Sequence, residues 1–381
     1  MRIRLQGPAK RAVPALSAVA LATGLALVPA ATASASNISG DAARVAVTQT
    51  NLVSDHALAS DPNVLVDPTL VNPWGMSFGT GATPTPLWVS DNGQDASTLY
   101  RTGPTPPAFV KVPLTVAVPG RPTGQVFNPS ASEFAVKAGD ATGPAKFIFA
   151  TESGWILGWN PNVPAANSTM ATPAAHVPDG VFKGLALASA KGSDFLYAAD
   201  FAKGTIDVFD TSFAMQDWKD AFRDPMIPEG YAPFNVQQLD GKLYVTYAKK
   251  KAGTIDDEAG PGHGFVDIYT TEGRLQKRLI QHGELNSPWG LAIAPSSWGP
   301  LAGTLLVGNF GNGRIHAYNA ESGQSLGTIR DAMHEPITID GLWGLMPGNG
   351  VASDPQSVIF SAGPDDESHG LVGVLTAVPQ A

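Results

Sequence analysis

The sequence predicts an all-β fold built from repeated small sheets, and three observations carry that expectation. Short apolar runs alternate with clusters of Gly, Pro, Asn and Asp, and helical periodicity is almost absent. A Pro/aromatic-Gly step recurs ahead of a pair of strands. Composition permits a large core wrapped in turn-rich, weakly charged loops: 43% of residues are hydrophobic, only 15% are charged, and there are 41 Gly and 32 Pro.

Taken in order, the step is clearest at Asn72-Pro73-Trp74-Gly75-Met76, Ser287-Pro288-Trp289-Gly290-Leu291 and Gly341-Leu342-Trp343-Gly344-Leu345. It is looser at Phe182-Lys183-Gly184-Leu185 and weakest at Pro122-Thr123-Gly124-Gln125 and Pro233-Phe234-Asn235-Val236. Each step leads to a second strand, at residues 87–90, 147–150, 196–199, 243–246, 305–308 and 357–360, and then a third, at 98–100, 155–159, 205–209, 265–269, 314–318 and 371–375. The mean spacing of about 54 residues is slightly longer than common propeller repeats. A small twisted antiparallel sheet cannot bury both faces alone, so six copies stack radially into a six-bladed β-propeller. Val45 to Val53 is expected to supply the outer strand of the last blade and close the ring, which removes the sheet edges. The stretch Ser212 to Tyr231 breaks the pattern and is expected to hold one short helix around Asp217 to Phe222.

Residues 1–35 have the basic, apolar, small-residue order of a secretory signal peptide: Arg2 to Arg11, then the uncharged Ala12 to Val28, then Ala31-Thr32-Ala33-Ser34-Ala35. Residues 36–44 are expected to be a flexible N-terminus and 45–381 a single propeller domain, exported, secreted and monomeric, with no membrane span in the mature form. The formal charge is −9, and the only charged side chains before residue 36 are basic, so the remainder is more acidic still. That argues against nucleic acid or an anionic membrane as partner. The chain has no cysteine, which excludes disulfides, thiolate metal sites and a cysteine nucleophile.

In an antiparallel meander the approach to the first strand and the loop between the second and third emerge on one rim. That rim collects Asp91-Asn92-Gly93, Thr151-Glu152-Ser153-Gly154, Asp200-Phe201, the long loop Ala248 to Gly264, Asn309-Phe310-Gly311 and Gly363 to Gly370. Asp and Asn favour such turns in any case. The triplets Asp256-Asp257-Glu258 and Asp365-Asp366-Glu367 are different, because crowded carboxylates repel and a hard cation such as Ca²⁺, which takes 6–8 oxygen ligands, would relieve them. Lys249-Lys250-Lys251 beside the first triplet offers local charge pairing. His263 and His369 sit in rim loops, with His282 and His334 approaching the same side, a set able to bind Zn²⁺ or act as a base. Trp74, Trp289 and Trp343 are expected to wedge between blades, a large ring beside a glycine being a packing device, with an aromatic platform for a sugar or other flat ligand as the alternative. No Gly-x-Ser-x-Gly, phosphate loop or dinucleotide fingerprint occurs.

The ordered series Asn72-Pro73-Trp74-Gly75, Val89-Ser90-Asp91-Asn92-Gly93, Thr205 to Asp210, Tyr231 to Gln237, Leu243 to Ala248, Pro288-Trp289-Gly290-Leu291, Leu306 to Gly311, Ile339 to Leu345 and Ala362-Gly363-Pro364 resembles a family of uncharacterised exported bacterial propellers, some with PEP-CTERM sorting tails. It covers about residues 50 to 376, and from the final Val378-Pro379-Gln380-Ala381, which departs from the sorting-tail pattern, release rather than surface retention is expected. More distantly the repeat is similar to NHL-repeat and gluconolactonase-type propellers. That resemblance implies a divalent cation at the central mouth, with Asn72, Asn235, Asp340 and Glu152 as the corresponding ligands.

The function expected from the sequence is binding of a small polar molecule, glycan or peptide at an acidic central mouth, through Ca²⁺ in one version. The residues expected to contact the ligand are Asp91, Asn92, Glu152, Asp200, Asp256, Asp257, His263, Asn309, Asp365, Asp366, Glu367 and His369, with Asn72, Asn235 and Asp340 for the metal. The alternatives are a metal-dependent hydrolase or lyase at the same mouth, with His263, His369 or Glu152 for acid–base work, and a purely structural scaffold.

Overall fold

The structure, a computed structural model, describes residues 45–80, 84–103 and 109–378. The expected signal peptide and residues 36–44 lie outside the described residues. Six four-stranded antiparallel blades follow in chain order, each with its first strand innermost. Blade 1 comprises Pro73–Ser77, Leu87–Asp91, Ala96–Thr102 and Phe109–Ala117. Blade 2 comprises Pro122–Phe127, Phe147–Thr151, Trp155–Trp159 and Thr172–His176, with a side hairpin Ala135–Ala138/Ala141–Pro144. Blades 3 and 4 begin with Phe182–Ala190 and Tyr231–Leu239, and blade 5 with Pro288–Ile293.

Blade 6 is Leu342–Pro347, Val358–Ala362 and Leu371–Ala377, completed from outside by Val47–Ser54. That closing strand runs antiparallel to Leu371–Ala377 from Val47 opposite Ala377 to Ser54 opposite Leu371, with one bulge. Leu65–Val66 adds a short parallel strand beyond it. All six predicted strand triplets and the closure by the N-terminal strand are present.

The helix expected at Asp217 to Phe222 does not form. The segment is a series of turns, with φ of 62° at Asp220 and 55° at Phe222, a left-handed backbone that cannot continue a right-handed helix. Its apolar residues are spent on packing: Phe222 joins Phe195, Tyr197 and Tyr269 in the core between blades 3 and 4, with Trp218 and Ala221 against it.

The recurring glycine has a steric reason. Neighbouring inner strands approach backbone to backbone there, so a Cβ on Gly124 would lie 2.2 Å from the Leu185 nitrogen and one on Gly75 2.4 Å from the Thr123 carbonyl. Gly184, Gly290 and Gly344 meet blades 4, 6 and 1 in the same way. Blade 4 carries Asn235 at this place, and its Nδ2 donates to the Trp289 carbonyl at 2.8 Å, which bridges blades 4 and 5. The contacts therefore run unbroken around the axis. Away from the axis, apolar side chains of adjacent blades interdigitate, as where Leu306, Ile315 and Ala317 of blade 5 meet Leu342, Leu345, Val358 and Phe360 of blade 6.

A methyl group at Gly124 has backbone on its far side and nowhere to go. Gly124→Ala is expected to destabilise the fold by about 3 kcal/mol, the upper end of ordinary overpacking. The urea midpoint of the purified variant checks it; an unchanged midpoint would mean that the inner strands can move apart at no cost.

Candidate functional site

In each blade the loop after the second strand hydrogen-bonds to the approach to the first. Asn92 N–H donates to Asn72 O at 3.1 Å, Glu152 to Arg121 at 3.0 Å, Phe201 to Val181 at 2.9 Å, Lys250 to Gly230 at 2.7 Å, Phe310 to Ser287 at 3.0 Å and Gly363 to Gly341 at 2.9 Å. The pairing gathers all six loops on one rim around the axis.

Just inside that rim the axis is plugged by aromatic side chains. Trp343 stacks with Trp74 at 3.5 Å between centroids and with Phe310 at 3.9 Å, and Trp289 meets both tryptophans edge-on. Phe201 and Phe234 complete the cluster. Two indole N–H groups tie it across the ring, Trp343 Nε1 to Asn72 Oδ1 and Trp289 Nε1 to the Lys183 carbonyl, each at 3.0 Å. The tryptophans thus pack, but together as a central stopper and not singly as wedges between blades. Beyond the stopper a cavity of about 130 Å³ continues along the axis among Gly124, Gln125, Asn235, Val236 and Leu345.

A buried polar chain lies on the rim side of the plug. The Lys183 ammonium, 2% exposed, sits 5.1 Å from the Trp74 ring centroid and 2.5 Å from Glu152 Oε1. Glu152 Oε2 accepts from Asn92 Nδ2 at 3.2 Å and faces Arg121 Nε at 3.3 Å. Asn72 Nδ2 donates both to Asn92 Oδ1 at 3.2 Å and to Glu367 Oε2 at 2.7 Å. Burial alone would raise the Glu152 carboxyl, but the Lys183 charge and its hydrogen bond, with Arg121 and Asn92, hold it below the ordinary value. Glu367 goes the other way: burial raises it, Glu152 and Asp256 add repulsion, and the Asn72 bond and distant Lys183 do not compensate.

Above this chain opens a mouth of about 440 Å³, lined by Lys251, Asp256, Asp257, Phe310, Asp340, Asp366 and Glu367 among others. Two members of each acidic triplet, Asp256 and Asp257 from blade 4 and Asp366 and Glu367 from blade 6, therefore face one space together with Asp340, while Glu258 and Asp365 do not line it. Asp257 is raised by burial against the opposing Ser287 hydroxyl, and its Oδ2 is buried without a hydrogen-bond partner. Asp365, Asp366 and Glu367 all have left-handed φ, 53°, 52° and 65°. Each such residue costs about 1 kcal/mol or more. Asp340 Oδ2 holds the turn by accepting the Asp365 N–H at 2.9 Å.

Other expected residues are used elsewhere. Asp91 is fully buried inside blade 1 beside Thr98, and burial raises its carboxyl well above the usual range. Asp200 Oδ1 accepts from the Val181 and Lys203 N–H groups, and Asn309 bonds the Asn286 N–H and the Glu284 carbonyl. Both do turn work. Asn235 is turned from the mouth into the inner ring, where its own Oδ1 also accepts from Val236 N–H. Glu258 pairs with Lys249 at 2.6 Å. The four rim histidines do not meet: His263 bonds the Glu258 carbonyl, His282 the Gly262 carbonyl, the His334 carbonyl takes Arg330, and His369 turns outward to Asp55.

The residue that sequence reasoning missed is Lys183. Its signal was present, because Phe182-Lys183-Gly184 carries lysine where three other copies of the step carry tryptophan. Arg121 and Phe310 were also not singled out.

Fold and site together define a six-bladed β-propeller with a plugged axis and a polar mouth. The chain belongs to the family of two uncharacterized proteins of Acanthamoeba polyphaga mimivirus. One is 32% identical over 316 residues, covering 81% of this chain and 76% of the relative, and the other 31% over 327 residues, covering 84% of each. No protein-family model matches the chain. Among solved structures it is similar to the α-L-arabinanase of Penicillium chrysogenum complexed with arabinobiose, with a TM-score of 0.51 and 12% identity over 86% of this chain and 98% of that one. That likeness is one of fold. The relatives are viral and give no support to an exported bacterial family with PEP-CTERM tails; of the resemblance drawn from sequence, the propeller stands.

Two outcomes follow from the buried chain. Lys183→Met strands the Glu152 charge and is expected to cost about 3 kcal/mol, much of it recovered by adding Glu152→Gln; denaturant titration of the single and double variants checks it. Because Glu367 is raised, the folded protein holds its proton to higher pH than the unfolded chain does. Its favourable contribution is complete below the unfolded value and is lost as pH rises through the folded one. Glu367→Gln should therefore be more stable than wild type at pH 7, the difference closing on acidification toward pH 4.5. Glu152 has the opposite sign, its contribution being lost as pH falls through its lowered value. Thermal unfolding across pH 4 to 8 separates the two; a destabilised Glu367→Gln at pH 7 contradicts the assignment.

Proposed function

We propose that the mouth binds a small polar ligand carrying positive charge, such as an amino sugar or a basic peptide side chain. The supporting observation is the convergence of Asp256, Asp257, Asp340, Asp366 and Glu367 on one space of about 440 Å³ that holds Lys251 as its cation. An ammonium or guanidinium entering there neutralises carboxyls that otherwise repel, and the Phe310 ring at the floor offers it an aromatic face. Ca²⁺ enters this reading as a bridge. Among the described residues no three mouth carboxyls have oxygens within 4.8 Å of one another, so an ion would complete its 6–8 oxygen ligands with those of the ligand. Action after export is supported by the order of residues 1–35.

A second reading, a hydrolase or lyase with or without a metal, has one specific support. Glu152 and Glu367 are displaced in opposite directions and joined through Asn92 and Asn72, the pattern that pairs an ionised carboxylate with a protonated one.

Thermal unfolding in the presence of glucosamine, spermidine or tri-lysine, each with and without millimolar Ca²⁺, tests the first reading. A ligand at a hundredfold its Kd should add about 2.7 kcal/mol of stability. The Asp256→Asn/Asp366→Asn variant should lose the effect. Silence from every ligand would remove the binding reading. Turnover of lactones, esters or glycosides that disappears in Glu367→Gln would replace it with the catalytic one.

A further inference from the structure

Outside the mouth, on the outer part of the blade 6 rim, three side chains form a second cluster. Asp55 and His56 follow directly on the closing strand Val47–Ser54, and His369 precedes the strand Leu371–Ala377 with which it pairs. His56 Nδ1 lies 2.9 Å from Asp55 Oδ1 and His369 Nδ1 2.8 Å from Asp55 Oδ2, so the two imidazoles address opposite oxygens of one carboxylate. The rings are 4.3 Å apart, and the three ligand atoms all lie within 4.8 Å of one another. Asp55 is further fixed by the Gly370 N–H, which donates to its Oδ1 at 2.9 Å.

We propose that Asp55, His56 and His369 bind a late first-row divalent ion, with Zn²⁺ the best fit, and that this ion fastens the closing strand to the ring. Imidazole nitrogen with one carboxylate oxygen is a donor set suited to Zn²⁺ and its neighbours rather than to Ca²⁺ or Mg²⁺. A tetrahedral ion with bonds of about 2.0–2.1 Å sets its donors roughly 3.3 Å apart. The His–Asp separations of 2.8 and 2.9 Å need to open by only a few tenths of an ångström, and because such an ion takes one carboxylate oxygen, one ring turns from its own oxygen of Asp55 toward the shared one, a movement within the 4.8 Å that spans the three ligand atoms. On binding, each ring gives up the Nδ1 proton that it donates to Asp55, released to solvent from a charged ring or exchanged through solvent for an Nε2 proton in a neutral one, and the freed Nδ1 lone pair takes the metal, so two hydrogen bonds give way to metal–ligand bonds. Both imidazoles are partly open to solvent, 45% and 38% exposed, which gives the ion access and leaves its fourth position for water. The site is separate from the mouth, yet it lies in the loop that carries Asp366 and Glu367.

The test is calorimetric titration of Zn²⁺ into untagged, chelator-stripped full-length protein, followed by thermal unfolding with and without the ion and by the visible absorption of bound Co²⁺. One ion per chain, a raised unfolding midpoint and a tetrahedral Co²⁺ spectrum are expected. His56→Ala, a change in an exposed side chain that leaves the closing strand intact, should weaken binding at least about tenfold, which is what even an indirect partner of a metal costs. His369→Ala should do the same, and Asp257→Asn in the mouth should not. Absence of binding at micromolar Zn²⁺ overturns the proposal, as does binding that survives both histidine variants or depends on Asp257.

Discussion

Everything in this molecule is arranged around the distance of closest approach of six inner strands. At the axis, backbone meets backbone with no room for a Cβ, and the one side chain admitted, that of Asn235, serves as a bridge between blades. Strands held this near leave a space too narrow for a second layer of side chains. In four blades the residue before this place of close approach projects to a common centre, and Trp74, Phe234, Trp289 and Trp343 fill it, with the Lys183 ammonium beside Trp74 in blade 3. The plug is a consequence of the ring's tightness. By stopping the axis, it turns the rim side into a shallow chamber with an aromatic floor.

The architecture was legible because it repeats. Three strong copies of the Trp-Gly step anchored three weaker ones, and short apolar runs bounded by Gly, Pro, Asn and Asp clusters placed the strands between them. What could not be read was the outward or inward sense of single polar residues. Asn235 and Asn72 look alike in sequence, yet one bridges two blades while the other links Glu367, Asn92 and Trp343 at the mouth. Asp256 and Asp366, more than a hundred positions apart, share a chamber only because blades 4, 5 and 6 are consecutive around the circle. His56 was passed over for the same reason, since its neighbour His369 arrives from the other end of the chain. The helix assigned to Asp217–Phe222 failed where aromatic burial outweighed local propensity.

Lys183 shows how a repeat acquires chemistry. Its position is the inner-ring place that tryptophan holds in three other blades, so its stem packs in the plug while its ammonium meets Glu152, the one acidic side chain within salt-bridge distance among the described residues. Buried ion pairs seldom add net stability over a well-packed apolar pair, because both charges lose their hydration. The same cost makes the arrangement directional. With one partner fixed on blade 3 and the other on blade 2, the amides of Asn92 and Asn72 have a defined acceptor at one end, and the orientation is passed on to Glu367 across the opening. The left-handed run at Asp365 to Glu367 fits that picture, as a backbone held off its preferred conformation by contacts at both ends.

The sharing of blade 6 between Val47–Ser54 and Leu371–Ala377 also governs the order in which the molecule can be made. In chain order the closing strand comes before every other blade and its partner after them all, so five sheets can assemble while the sixth waits. Through that interval a strand of eight residues is held with its hydrogen-bonding groups unmatched, and the half-built stack exposes a bare flank at either end. Until the two segments meet, the ring is open at both margins, and their pairing is the step that completes it.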